Sequence, residues 1–275
     1  MATESPKADI DVGRVLSRAF EAIRANALPF FGLALLLVGV PSFFTQYLMA
    51  ASIELQTARL DATPGGAQLS DLSFMLAPSF WGPIVATLFV SLIGYLILQV
   101  MVTRSTILQL GRREPDIAGS FTLALWLALP AFGLTICIVL LLIIGVILLF
   151  FPALMIWCAL IVAMPVLVQE RVGIFRAMAR SRALTRGSRW RIFLLVVLIW
   201  ILSMMVSGIT NAIAATTTSF DGTVAVQNPI VAGIADGLGS VLTGLVSTVV
   251  AAALYVELRE VKEGAATTDL ATVFD

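Results

Sequence analysis

Between Phe121 and Val168 the chain carries 48 consecutive residues without a single charge. A helix needs about 20 apolar residues to cross a hydrocarbon core about 30 Å thick. In that medium only helices and closed barrels satisfy their own backbone polar groups. The run is therefore too long for one crossing and predicts two helices joined by a tight turn. Phe150-Phe151-Pro152 is the place for the turn, because proline suits the first position of a new helix. The two spans are expected at 122–148 and 151–168.

Four further apolar runs, at about 28–50, 81–103, 190–212 and 230–258, bring the expected number of spans to six. Pro29 suits a helix start, and Pro41 is expected to kink the first span. Trp81 and Tyr255 are placed as interfacial anchors. The fold class that follows is all-α: a polytopic integral membrane protein with six transmembrane helices and amphipathic interfacial helices. Residues 1–27 form a lead-in, 28–258 the membrane domain and 259–275 a polar tail. Only 12% of the residues are charged, against about 25% in soluble domains, and no stretch is left over for a soluble catalytic domain. The segment 51–80 is the longest loop, with a turn at Thr63-Pro64-Gly65-Gly66. Residues 213–229 form a Thr-rich polar loop. The first 27 residues contain Glu4, Asp9, Asp11 and Glu21, and the run that follows is longer than a signal-peptide core, so it is expected to be retained as a span.

The net charge is zero, but its distribution is not even. Placing the N-terminus in the cytoplasm puts 16 of the 17 Lys and Arg residues inside and leaves only Arg59 outside. By the positive-inside rule both termini are then cytoplasmic. Seven of these residues fall in one stretch: Arg171, Arg176, Arg180, Arg182, Arg186, Arg189 and Arg191. On a helical wheel Ile174, Ala177, Met178, Ser181 and Leu184 share a narrow apolar arc, and arginines fill much of the rest. One reading of this basic helix is topogenic, holding its loop inside. The other is recognition of anionic phospholipid headgroups or a protein partner, each basic residue near an anionic leaflet contributing roughly 1 kcal/mol. Glu170 is expected to pair with Arg171 or Arg176. A second amphipathic helix, from Asp9 to Ala27, sets Val12, Val15, Leu16, Ala19, Phe20, Ile23 and Ala27 against Arg14, Ser17, Arg18, Glu21 and Arg24. It can lie in the membrane interface or pack on the protein's own cytosolic ends.

Polar residues inside the spans are few. Asp236 is read as the one acid within a span, either capping a helix or sitting at the outer interface, or else marking a polar pathway. Gln99 and Asn211 are the other intramembrane polar candidates. Gly233-xxx-Gly237 and Ser240-xxx-Gly244 permit close helix approach, within the chain or in a homo-oligomer. Cys137 and Cys158 lie in apolar runs and are expected to be packing residues. With no histidine, the chain lacks the commonest proton shuttle and metal ligand. No catalytic set, metal site, cofactor motif or nucleic-acid patch is apparent, and an enzyme is not expected.

The segment Pro165 to Glu170, Val172 to Phe175, Ser181 to Thr185 and Arg189 to Arg191 resembles a family of uncharacterised bacterial inner-membrane proteins. The opening Asp11 to Leu16 and the ending Leu254 to Arg259 look similar too. Members are often labelled as the membrane domain of glycerophosphoryl diester phosphodiesterases. The resemblance covers most of the chain and implies a six-span helical protein. It does not imply the phosphodiesterase reaction, which belongs to a separate soluble barrel with metal-binding acids and histidines. The expected role is a non-enzymatic membrane protein that organises lipids or partner proteins through a basic cytosolic face. The competing expectations are a small-molecule transporter or exporter component, and an accessory protein of lipid processing.

Overall fold

The structure, a computed structural model, describes residues 10–61, 78–111, 117–148, 150–217, 219–221, 224–226 and 228–264. The turn expected at Thr63-Pro64-Gly65-Gly66, the residues Lys7, Arg112 and Arg113, and the tail beyond Gly264 lie outside the described residues. The helices are α1 (Val12–Ala25), α2 (Ala27–Ala34), a π-helical turn (Leu35–Gly39), α3 (Val40–Asp61), α4 (Pro78–Leu110) and α5 (Ile117–Leu148). They continue as α6 (Phe150–Leu160), α7 (Ala163–Glu170), α8 (Ile174–Thr185), α9 (Arg189–Ala215) and α10 (Pro229–Glu263). Between α9 and α10 two three-residue strands, β1 (Ser219–Asp221) and β2 (Val224–Val226), pair antiparallel, with Phe220 opposite Ala225.

Six segments are long and apolar enough to cross a membrane: Ala27–Met49, Trp81–Leu110, Ala118–Leu148, Phe151–Glu170, Arg189–Ala215 and Pro229–Glu263. The chain is an all-α polytopic membrane protein, as its apolar runs predict. Large side chains such as Leu129, Ile147, Met205 and Ile209 face outward, the arrangement that lipid contact permits and water would not.

The boundaries differ from expectation where a local rule competes with hydropathy. Pro41 is preceded by a π-helical turn. Proline lacks the N–H that would bond the Leu37 carbonyl and its ring crowds that carbonyl, and the π-helical turn ends two residues before it. The helix then continues through Asp61, well past the expected end at residue 50. The expected fourth span at 151–168 is two helices, not one. Pro165 cannot donate to Ile161, and the chain turns at Ile161-Val162 between α6 and α7. The loop at 213–229 holds the small hairpin, and α4 and α10 run on to Leu110 and Glu263.

The chain divides into two compact units. Unit 1 is Met1–Ala27, Gln99–Trp200 and Val246–Asp275; unit 2 is Leu28–Leu98 and Ile201–Leu245. In unit 1, six successive residues of α7, Ala163 to Val168, are all buried. Tyr255, Leu254 and Leu258 of α10 and Val15, Ala19 and Ala22 of α1 are buried too. In unit 2, glycines set the helix spacing. A Cβ on Gly94 would collide with the Leu37 carbonyl, the one that Pro41 leaves without its helical donor. A Cβ on Gly237 would stand 2.8 Å from the Gly39 carbonyl oxygen, and one on Gly233 2.7 Å from the Phe43 ring. Gly244 faces Tyr95, where a Cβ would sit at 3.6 Å. The Gly233-xxx-Gly237 spacing of α10 therefore serves packing within unit 2.

Candidate functional site

The basic segment builds its site on α8. Ala177, Met178, Ser181, Leu184 and Thr185 form its buried face, close to the apolar arc that the wheel predicts. The docking is polar as well as apolar. Near the end of α6, where carbonyls run out of helical donors, Ala159 O accepts from Ser181 Oγ at 2.8 Å and from Thr185 Oγ at 3.5 Å. A hydrogen bond to a buried carbonyl is costly to remove, so these two hydroxyls fix how α8 is rotated. That rotation decides which arginines are free.

Arg180 sits on the flank of α8 and donates to Glu170 at 3.2 Å and to Glu263. Glu170 was expected to pair with Arg171 or Arg176 and pairs with Arg180 instead. The turn at 171–173 folds α8 back, which brings position 180 to the end of α7. Tyr255 Oη also donates to Glu170, at 3.2 Å, and Arg259 Nε donates to Glu263 at 3.0 Å. Partial burial alone would lower the pKa of Arg180, but the two carboxylates outweigh it and raise it. Lys262 donates to the Arg186 carbonyl. The last two turns of α10 thus bind α8 to unit 1.

The other arginines divide by environment. Arg191 Nη1 donates to Ile10 O at 2.6 Å, and Arg189 is half-buried with its Nε lacking a hydrogen-bond partner. Arg171, Arg176, Arg182 and Arg186 are exposed and form no ion pair among the described residues. Arg171 ends α7 in the left-handed conformation, φ 49° and ψ 38°, a cost of about 1–2 kcal/mol for a residue with a Cβ. Phe175 is 79% exposed in the same surface. The pattern of charges alone gives no reason to single it out.

A second charged cluster was not expected. Glu257 in α10 is completely buried, and Arg14 Nε and Arg18 Nη1 of α1 lie 3.2 and 3.0 Å from its carboxylate. Arg18 also donates to Glu260 at 2.8 Å. Glu257 falls within the span expected at 230–258, so Asp236 is not the one acid there. The signal available was the four-residue spacing of Arg14 and Arg18 on a helix otherwise apolar toward the protein.

The intramembrane polar candidates lie on three different helices, α4, α9 and α10. Asp236 lies two turns into α10, and Asn228 caps that helix by accepting from the Ile230 and Val231 amides at 3.0 and 3.4 Å. Capping by Asp236 is thereby excluded; the residue is exposed and unpaired among the described residues. Asn211 donates to Ser207 O in its own helix at 2.8 Å. Gln99 is half-buried and belongs to unit 1, whereas Asn211 and Asp236 belong to unit 2. Cys137 and Cys158 are free thiols, and no group of three or more His, Cys, Asp or Glu is placed to hold a metal among the described residues. Comparison with family models, curated proteins and solved structures finds no match.

Proposed function

We propose that this is a non-enzymatic protein of a bacterial inner membrane, with both termini in the cytoplasm, that gathers anionic phospholipids on the exposed arginines of α8. The observation that carries the proposal is the division of labour on that helix. Its inner face is fixed on Ala159, Arg180 is held by two carboxylates, and Arg176 and Arg182, with Arg171 just before the helix and Arg186 at its C-cap, are exposed, as is Phe175. A purely topogenic cluster needs charge but no fixed rotation. Arginine forks suit phosphate oxygens, and an exposed aromatic beside them suits the interfacial layer. The likeness to the membrane domains of phosphodiesterases acting on glycerophosphodiesters fits a role beside lipid headgroups, without their chemistry.

The test is to identify the lipids retained by protein purified from mixed bilayers. Selective retention of anionic lipid, lost when the four arginines become glutamine, supports the proposal. Equal retention of anionic and zwitterionic lipid overturns it. A reporter active only in the cytoplasm, fused at the C-terminus, tests the orientation separately. A transport role would need convergent polar groups at mid-membrane, and Asn211 is already satisfied within its own helix.

A further inference from the structure

We infer that α1 lies flat in the membrane interface, flanking unit 1, with Leu16, Phe20 and Ile23 turned toward the acyl chains. The occupant of that flank is the lipid of the protein's own bilayer. This goes beyond the headgroup site on α8 and rests on different residues.

The first argument is level. Asp236 and Glu257 are 21 residues apart on one uninterrupted helix, with 20 uncharged residues between them. At 1.5 Å per residue that is about 31 Å, one hydrocarbon thickness. Asp236 and Glu257 therefore bracket a single crossing, and Glu257 marks its far boundary. Arg14 and Arg18 hold the middle of α1 to Glu257. Arg191, in the first turn of α9, holds the preceding Ile10 carbonyl. Asn26, the C-terminal cap, donates to Gln109 in the last turn of α4 and leads into the first apolar span at Ala27. Start, middle and end of α1 are all tied to the ends of crossing segments. A helix fixed at three such points runs along the boundary, not through it.

The second argument is rotation. At 100° per residue the packed flank of α1 is Val15, Ala19, Ala22 and Asn26, all buried. The flank of Leu16, Phe20 and Ile23 is centred about a quarter turn away, and Arg14, Ser17 and Glu21 are centred about a third of a turn beyond that. Phe20 is 66% exposed, and Leu16 and Ile23 are half-covered. A helix beside a membrane bundle needs three faces, toward protein, lipid and water. α1 has all three in that order. Its apolar arc is wider than its packed face because two apolar surroundings share it.

The experiment uses the full chain in lipid vesicles of mixed anionic and zwitterionic phospholipid. Spin labels are placed at Phe20→Cys and Glu21→Cys in a background of Cys137→Ala and Cys158→Ala. The label at 20 is expected to show an oxygen-to-nickel-chelate accessibility ratio several-fold above that at 21. A photoreactive benzoyl-phenylalanine at position 20, in the otherwise unaltered chain, is expected to give lipid adducts; this arm holds even if the cysteine-free background fails to fold. Equal chelate access at 20 and 21 overturns the inference in favour of water. Adducts at 20 to another protein, or to a second copy of this chain, overturn it in favour of an interface between proteins.

Discussion

Replacing Arg171, Arg176, Arg182 and Arg186 together by glutamine removes four exposed charges and leaves the docking of α8 intact. None of the four takes part in an ion pair among the described residues, and none lies on the buried face. Each is worth roughly 1 kcal/mol near an anionic leaflet, so the set is worth about 4 kcal/mol. That is roughly a thousandfold in preference for anionic over zwitterionic lipid at low salt. At physiological salt the screening length falls to about 8 Å, and the preference should shrink accordingly. Native mass spectrometry of protein released from mixed vesicles counts the retained lipids directly, at two salt concentrations. Lysine at the same four positions keeps the charge but loses the fork, and separates electrostatic attraction from bidentate phosphate contact. Unchanged anionic enrichment in the glutamine variant, with the thermal midpoint preserved, would refute the reasoning.

Three further outcomes follow from the packing. Glu257→Gln should loosen α1, since it leaves two arginines facing a buried neutral group. Breaking a buried pair costs about 3–5 kcal/mol, and because Arg14 and Arg18 are partly exposed and can rehydrate, about 2 kcal/mol is expected; faster tryptic cleavage at Arg14 and Arg18 would report it, and wild-type cleavage rates would count against the cluster. Gly94→Ala and Gly237→Ala should each cost about 1–3 kcal/mol by overpacking, whereas Gly208→Ala, which meets nothing within 4 Å, should be neutral in a thermal melt in detergent. Ser181→Ala should cost about 1 kcal/mol by leaving Ala159 O to the longer bond from Thr185, visible as faster hydrogen exchange in α8 than in α5.

The six spans were legible because each apolar run is long and bounded by charge, and nothing competes with lipid for a run such as Phe121–Val168. The finer features were illegible for identifiable reasons. Pro165 sits among residues that are apolar on both sides, so hydropathy carries no mark of the break at Ile161-Val162. Phe20 belongs to the same wheel arc as Val15 and Ala19, and the sequence cannot divide that arc between protein and lipid. Glu257 is the instructive miss. A carboxylate near the end of a span looks like a water-facing residue, and its burial depends on two arginines more than 230 positions away. The arginine stretch was found as a cluster, but which of its members are free depends on where Ser181 meets Ala159, a contact that no local pattern encodes.

The π-helical turn at Leu35–Gly39 has a consequence for how this protein can tolerate change in length. Such a turn holds one residue more than an α-helical turn would, so everything after it is advanced by about 100° around the axis. Leu37 and Gly39 meet Gly94 and Gly237 within the turn, and Phe43, beyond it, meets Gly233 with that advance in place. Deleting a single residue from this turn would restore a regular helix and carry Phe43 off its glycine. Equivalent chains should therefore keep the number of residues between Phe30 and Phe43 even where they change every side chain between them.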